Sequence, residues 1–350
     1  MAENVTQVHF KNAFKKVAVI ILNYNNWIDT IACLNSVILS KPCPYLIIIV
    51  DNASINDSYL QIKKWMKAAD ANASTEFDMP GQLKDVYSLK KKDFLAHLDI
   101  VLLNMKVQDF ELCQKIPLIM LEARINGGYA AGNNLGMRFA LNVGVDACWI
   151  LNNDTVIEST AFAAMRDRLF ASHKPGMCGA LICNFQDRQT VQCRAGGHTN
   201  KWTGLSVLNG KGLSIAEARR TSPEEVEQGV NFIFGACNMV SRTFIEQVGF
   251  MDEGYFLYSE EQDWAYRSKG RFDVVYAPDA IVYHKGGAST GWNDYSVTMK
   301  SLWFLTRSRI RCAYLHTPLM LPTVCLSIFF AAIRIIWRRL ISRQWRRYAL

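Results

Sequence analysis

The chain of 350 residues lacks several features that would place it quickly, and each gap rules something out. Its ten cysteines fall at irregular spacings, with no CxxC pair and none of the paired spacings of a zinc site. Buried, reduced thiols of a cytosolic protein are therefore favoured over disulfides. The first sixteen residues are polar or basic without an apolar stretch, which points away from a secretory signal peptide. The first apolar run, residues 17–22, leads into Asn23, Tyr24, Asn25 and Asn26 without a glycine, which argues against a Rossmann dinucleotide site. Residues 319–333 are an apolar run of fifteen containing Pro322, short of the ~20 needed to cross a bilayer unless Arg334 snorkels and the run extends to Trp337. From Arg334 to the end there are six arginines and no acid, so most of the net charge of +8 sits in this tail. The rest of the chain is close to neutral, which argues against a broad nucleic-acid-binding surface.

What is present suits a large α/β domain with an appendage, or two domains. Half the residues are hydrophobic, and glycine, proline and charge are ordinary, so the chain can bury a substantial core. Residues 17–22 and 45–50 are apolar, β-branched runs that read as buried strands. Between them Ile28, Ile31, Leu34, Val37 and Ile38 have helical spacing, ended by Pro42 and Pro44. A βαβ unit of this kind implies a parallel sheet covered on both faces, with ligands at the carboxyl ends of the strands. From about 60 to 115 the signal weakens, and the lysine-rich stretch reads as a helical insertion with a mobile portion near 71–82. Further strands are expected at 116–121, 148–151, 232–240, 274–276 and 281–283, with helices at 135–142, 160–173 and 242–248. Short antiparallel strands are expected around 204–212.

Several segments carry chemistry. Asp51 ends the second strand, where a carboxylate can meet a ribose hydroxyl or a base N–H, or else cap the next helix. Asp154 follows an apolar strand, with Asn152 and Asn153 as further oxygen donors for a hard divalent cation. An Asx turn explains this segment equally well. Glu260, Glu261 and Asp263 crowd three carboxylates into four positions beside aromatic residues. Helix-dipole compensation accounts for one or two of them, and a general base for an acceptor hydroxyl for another. His284 ends a late strand, where a structural role competes with metal ligation.

Taken in order, these segments resemble the family 2 glycosyltransferases of GT-A fold, especially the rhamnosyltransferase-like members. The resemblance is carried by residues 20–25, 50–54, 126–134, 151–155, 234–236, 248–253, 260–263 and 283–287, and covers about 17–312 apart from the insertion. It implies a mixed, mostly parallel sheet flanked by helices. It also implies an inverting transfer of a sugar from a nucleotide-diphosphate donor, such as dTDP-rhamnose or a UDP-sugar, to a hydroxyl of a glycan or lipid-linked acceptor. Asp154 would ligate Mg²⁺ or Mn²⁺ and His284 would be a second ligand. Glu261 falls where the family usually has its catalytic aspartate, with Glu260 and Asp263 as rivals for that role. Asn23, Tyr24, Asp51 and Asn126 would contact the nucleotide, together with Gly127, Asn134 and Asn153. Asn152 departs from the family's pattern by replacing the first acid of its metal-binding motif.

The expected organisation is a tail at 1–16, a catalytic domain at 17–290 and a helical, membrane-associating segment at 291–350. In that last segment Arg339, Arg343, Arg346 and Arg347 group on one helical face and Trp337, Leu340, Ile341, Trp345 and Tyr348 on the other. This is the pattern of an interfacial helix on an anionic membrane, here the inner face of the plasma membrane of a cytoplasmic protein. A helix packed on the catalytic domain or on a partner in a homodimer is the competing reading. A nucleotidyltransferase and an inactive sugar-nucleotide or lipid-binding scaffold are the competing functions.

Overall fold

The computed structural model describes residues 15–70, 95–106, 113–286 and 298–347. The opening βαβ unit is present as β1 (Val17–Asn23), α1 (Trp27–Ile38) and β2 (Leu46–Asp51), followed by α2 (Ser58–Asp70). β3 (Leu95–Lys106) and β4 (Cys113–Ala123) then add two antiparallel strands. Within the expected helical insertion, residues 95–106 and 113–115 are thus β structure, because the β3 backbone pairs along β4 and extends the sheet edge. The expected mobile portion near 71–82 lies outside the described residues.

α3 (Gly128–Asn142), β5 (Ala147–Asn152), β6 (Thr155–Ile157), α4 (Ala161–Ala171) and β7 (Pro175–Asn184) follow. β8 (Val191–Arg194) pairs with β7, while β9 (Gly196–Thr199), β10 (Ser206–Leu208) and β11 (Phe232–Ile233) form a separate small sheet. β12 (Cys237–Ser241), α5 (Arg242–Val248), α6 (Glu260–Ser268) and β13 (Asp273–His284) complete the main body. The main sheet runs β3-β4-β2-β1-β5-β12-β7-β13-β6, with β12 antiparallel to both neighbours and the β4-β2-β1-β5 stretch parallel. It is the mixed, mostly parallel sheet that the family resemblance implies.

Strand alternation splits the core in two. Ile20, Ile48 and Val50 pack with Met137, Phe139, Phe244 and Trp264 from α3, α5 and α6. Val19, Ile21, Ile47 and Trp149 face Leu34, Met66 and Phe162 from α1, α2 and α4. α3 starts seven residues earlier than expected, taking in the glycine-rich segment. A Cβ at Gly132 or Gly136 would come within 2.3 Å of Leu22 or 2.6 Å of Ile20. Those glycines let the helix lie close on β1, and that packing outweighs their helix cost of about 1 kcal/mol each.

Two further differences bear on the site. The expected strand 232–240 is broken at Phe234-Gly235-Ala236, so that β11 joins the small sheet and β12 the main one. The expected strands at 274–276 and 281–283 are one strand, β13, with an irregularity between Ala277 and Ile281. The chain ends in α7 (Met299–His316) and α8 (Leu321–Arg347). The nine described cysteines are free, seven of them buried, in keeping with reduced thiols.

Candidate active site

A cavity of about 340 Å³ opens beyond the carboxyl ends of β1, β2 and β5. Tyr24, Asn52 and Asn126 line one side, Asn152, Asn153, Asp154 and His284 the floor, and Glu260 and Glu261 of α6 the opposite wall. Thr298, Lys300, Ser301 and Phe304 at the start of α7 close the mouth, where Phe304 stacks on Phe256 with centroids 4.6 Å apart. A larger cavity of about 640 Å³ lies against α6 beside Arg168, Gln262 and Tyr266, but it contains none of the candidate acids or His284.

Asp154 and His284 are brought together by strand pairing. β13 runs antiparallel to β6 with His284 opposite Thr155, and the Lys285 N–H donates to the Asp154 carbonyl at 3.0 Å. Asp154 Oδ1 then lies 3.3 Å from His284 Nε2, both residues buried. Burial raises the Asp154 pKa, but the hydrogen bond and charge of His284, with Lys285 beyond, outweigh it and hold the carboxyl below its usual range. His284 Nδ1 is 2.9 Å from Gln192 Oε1, and its ring meets Phe234 edge-on at 5.8 Å.

This pair suits a divalent cation. Two ligands about 2.1 Å from an ion and at right angles to each other lie about 3 Å apart, near the observed separation. An oxygen and a nitrogen acceptor facing each other at this range require a proton or a cation between them. Among the described residues no third His, Cys, Asp or Glu joins them, which would leave most coordination positions to phosphate oxygens and water.

The two glutamates differ sharply. Glu260 is 2% exposed and its Oε2 has no hydrogen-bond partner, so burial first and the neighbouring Glu261 charge second push its pKa well up. Glu261 is raised to about 7 by burial, partly offset by its own N–H and that of Gly235. The break between β11 and β12 makes that second contact. A Cβ on Gly235 would lie 1.9 Å from Glu261 Oε1, so only glycine leaves room. Tyr129 Oη donates to the Gly235 carbonyl at 2.5 Å and fixes the peptide. Both adjacent carboxyls are pushed upward, but Glu260 is raised further by the Glu261 charge, so Glu261 is the more readily ionised of the two.

The remaining candidates are placed less uniformly. Asp263 sits on the far side of α6, accepting from Arg267 Nε at 2.8 Å and contacting His316 Nε2 at 2.7 Å. Burial raises its pKa, but His316 and Arg267 more than compensate, so it is an ionised tie between α6 and α7 rather than a cavity group. Asp51 is 1% exposed and does not line the cavity. Its oxygens accept from Asn23 Nδ2 (2.6 Å), Ser54 Oγ (2.7 Å) and Ser54 N (3.0 Å), so it shapes the loops after β1 and β2 and does not cap α2. Asn23, fully buried, belongs to the same cluster.

Asn134 is also withdrawn: its amide brackets the Met251 backbone and reaches Glu253, pinning α3 to that loop. Gly127 lines a separate cavity of about 180 Å³. Tyr24, Asn126 and Asn153 do face the main cavity, Asn126 holding Asn52 Nδ2 at 3.0 Å. Tyr129 and Gly235 lie inside segments that carry the resemblance, though neither side chain looks chemical. Gln192, between Val191 and Cys193 in β8, carries no sequence signal at all.

No family model matches the chain. It is 24% identical over 163 residues to the low-salt glycan biosynthesis hexosyltransferase Agl10 of Haloferax volcanii, covering 45% of this chain and 48% of that one. Over 74 residues it is 39% identical to the N-acetylglucosaminyl-diphospho-decaprenol L-rhamnosyltransferase of Mycobacterium tuberculosis, 21% of this chain and 24% of the other. The chain thus spans about half the length of the first relative and a quarter of the second. GalNAc-T7, solved with UDP, GalNAc and Mn²⁺, superposes with a TM-score of 0.51 at 13% identity, over 86% of this chain and 48% of that one. The fold is GT-A. Both sequence relatives are named as sugar transferases, in agreement with the resemblance to rhamnosyltransferase-like members. Within this GT-A frame the cavity lies at the carboxyl ends of the first strands, the usual ligand side of an open α/β sheet.

Proposed function

We propose that the protein transfers a sugar from a nucleotide-diphosphate donor, dTDP-rhamnose or a UDP-sugar, to a hydroxyl of a glycan or lipid-linked acceptor, with inversion. One observation carries this reading: a single cavity holds the Asp154–His284 pair on its floor and an ionisable carboxylate, Glu261, on its wall. The transferase names of the two sequence relatives support it.

Asp154 and His284 would hold Mg²⁺ or Mn²⁺, which when bound neutralises the charge of a diphosphate leaving group. Tyr24, Asn126 and Asn153 are placed to meet the nucleotide, while Asn23, Asp51 and Asn134 keep the surrounding loops in shape. Gly127 contributes a close turn at the start of α3. Glu261 takes the proton of the acceptor hydroxyl as the oxygen attacks the anomeric carbon from the face opposite the diphosphate. Glu260, pushed up by burial and by the Glu261 charge, is the less readily ionised neighbour. Replacing Glu261 by Gln removes the base without altering the shape of the wall. Transfer should fall by about 10²–10⁴-fold or more, with donor affinity by calorimetry retained. Near-normal turnover in this variant would sink the assignment, and turnover undiminished by EDTA would sink the role of Asp154 and His284.

The C-terminal helices support attachment to an anionic membrane at the inner face of the plasma membrane. Among the described residues no helix is long and apolar enough to cross a membrane. Yet α8 exposes Leu326, Phe329, Phe330, Ile333 and Trp337, and the arginines follow. These apolar residues recur at helical spacing along one face, and a helix with such a face that ends in basic residues suits a lipid interface.

A further inference from the structure

We infer that Gln192 is a positioning residue that holds His284 in the tautomer able to ligate a divalent cation; the inference deepens the metal-assisted reading above and rests on it. Gln192 lies on β8, two strands from His284 across β7. Its side-chain amide makes two contacts with the same residue. Nε2 donates to the His284 main-chain carbonyl at 2.9 Å, and Oε1 lies 2.9 Å from the His284 ring Nδ1.

These two contacts fix the protons. A carbonyl oxygen only accepts, so the amide NH₂ must face it, and the amide oxygen is then the atom facing Nδ1. An amide oxygen cannot donate, so Nδ1 must carry hydrogen. With hydrogen held on Nδ1, the nitrogen left to exchange a proton for a cation is Nε2, 3.3 Å from Asp154 Oδ1 on the cavity floor. The Phe234 ring, edge-on to the imidazole, limits its swing. Because one amide grips both ring and main chain, ring rotation and tautomer are set together. A hydrogen-bond partner on the second nitrogen of a ligating histidine orients the ring and raises its basicity. A neutral amide does so without adding another negative charge beside Asp154.

The test uses the purified full chain and Mn²⁺ alone as probe, with free Mn²⁺ followed by electron paramagnetic resonance. Gln192→Met keeps a side chain of similar length without the amide, and should weaken Mn²⁺ binding about 10–100-fold. An unchanged affinity overturns the inference, provided that His284→Ala loses Mn²⁺. If His284→Ala itself binds Mn²⁺ normally, the failure is that of the metal reading. A second measurement reads the ring proton in the wild type without any metal. Nitrogen-15 spectra of histidine-labelled, metal-free wild type, with the His284 signals assigned by their absence from His284→Ala, should show hydrogen on Nδ1. A His284 ring without hydrogen on Nδ1 would overturn the inference outright.

Discussion

At the scale of single residues, Glu260 and Glu261 show how position on a helix divides two identical side chains. Both belong to the first turn of α6, where helix-dipole compensation alone would treat them alike. Glu260 is buried with an oxygen unpartnered, whereas Glu261 reaches the Gly235 N–H. The proposed base must be ionised to act, and burial raises the Glu261 pKa to about 7. Turnover should therefore rise as pH increases through about 7 and level off above it, falling about tenfold per pH unit below. A steady-state rate profile with its acid limb near 4.5, the ordinary glutamate value, would contradict the burial argument. The acidic cluster was legible in the sequence as chemistry. Which of its members faces the cavity was not, because that depends on how far α6 is rotated against α7.

At the scale of elements, Asp263 ties α6 to α7 through a contact that joins residues 53 apart. Its side chain is 2% exposed, with Arg267 and His316 partly buried beside it and Tyr266 stacked on the His316 ring at 5.0 Å. Removing one partner from a buried ion pair leaves the others uncompensated, at a cost of about 3–5 kcal/mol. Asp263→Asn should lower stability by that order in urea unfolding. A fully stable but inactive Asp263→Asn protein would return this residue to the list of catalytic groups. The element pattern was readable where apolar runs are continuous, as in β1, β2 and β5. It was misread at α3, where glycines needed for close packing look like a loop, and at 232–240, where a continuous apolar run hides a change of sheet. Local sequence carries hydrophobicity and period; it does not carry which sheet a strand will join.

At the scale of the whole molecule, the GT-A sheet and the C-terminal helices have different surfaces. The sheet is covered on both faces by helices, but α7 exposes Met299, Trp303, Ile310 and Tyr314, and α8 continues the apolar surface. Met299, Trp303, Arg307, Ile310 and Tyr314 fall on one side of α7 at helical spacing. Attachment to a lipid surface by these helices predicts release of the protein from membranes by a carbonate wash, and flotation with anionic but not neutral vesicles. Retention in the membrane after carbonate would mean a spanning form, and failure to float with either vesicle would favour a protein partner on the same face. This segment was legible in outline from its charge and apolar residues. Its junction with the site was not: Lys300, Ser301 and Phe304 reach the cavity mouth only because α7 folds back against α6.

The break between β11 and β12 unites these scales. Phe234 sets its ring against His284, the Gly235 N–H holds Glu261, and the Ala236 carbonyl accepts from the Asn152 N–H at 3.0 Å. Three consecutive residues thus touch the proposed leaving-group pole, the proposed proton-accepting pole and the turn between them. The span separating the two poles is therefore measured out by a length of main chain, like the fixed jaws of a calliper. On the proposed function, side-chain changes around the cavity can alter which sugar is gripped or how readily a proton is taken. They leave the reach between donor and acceptor unchanged, whereas adding or deleting one residue in this strap changes the reach itself.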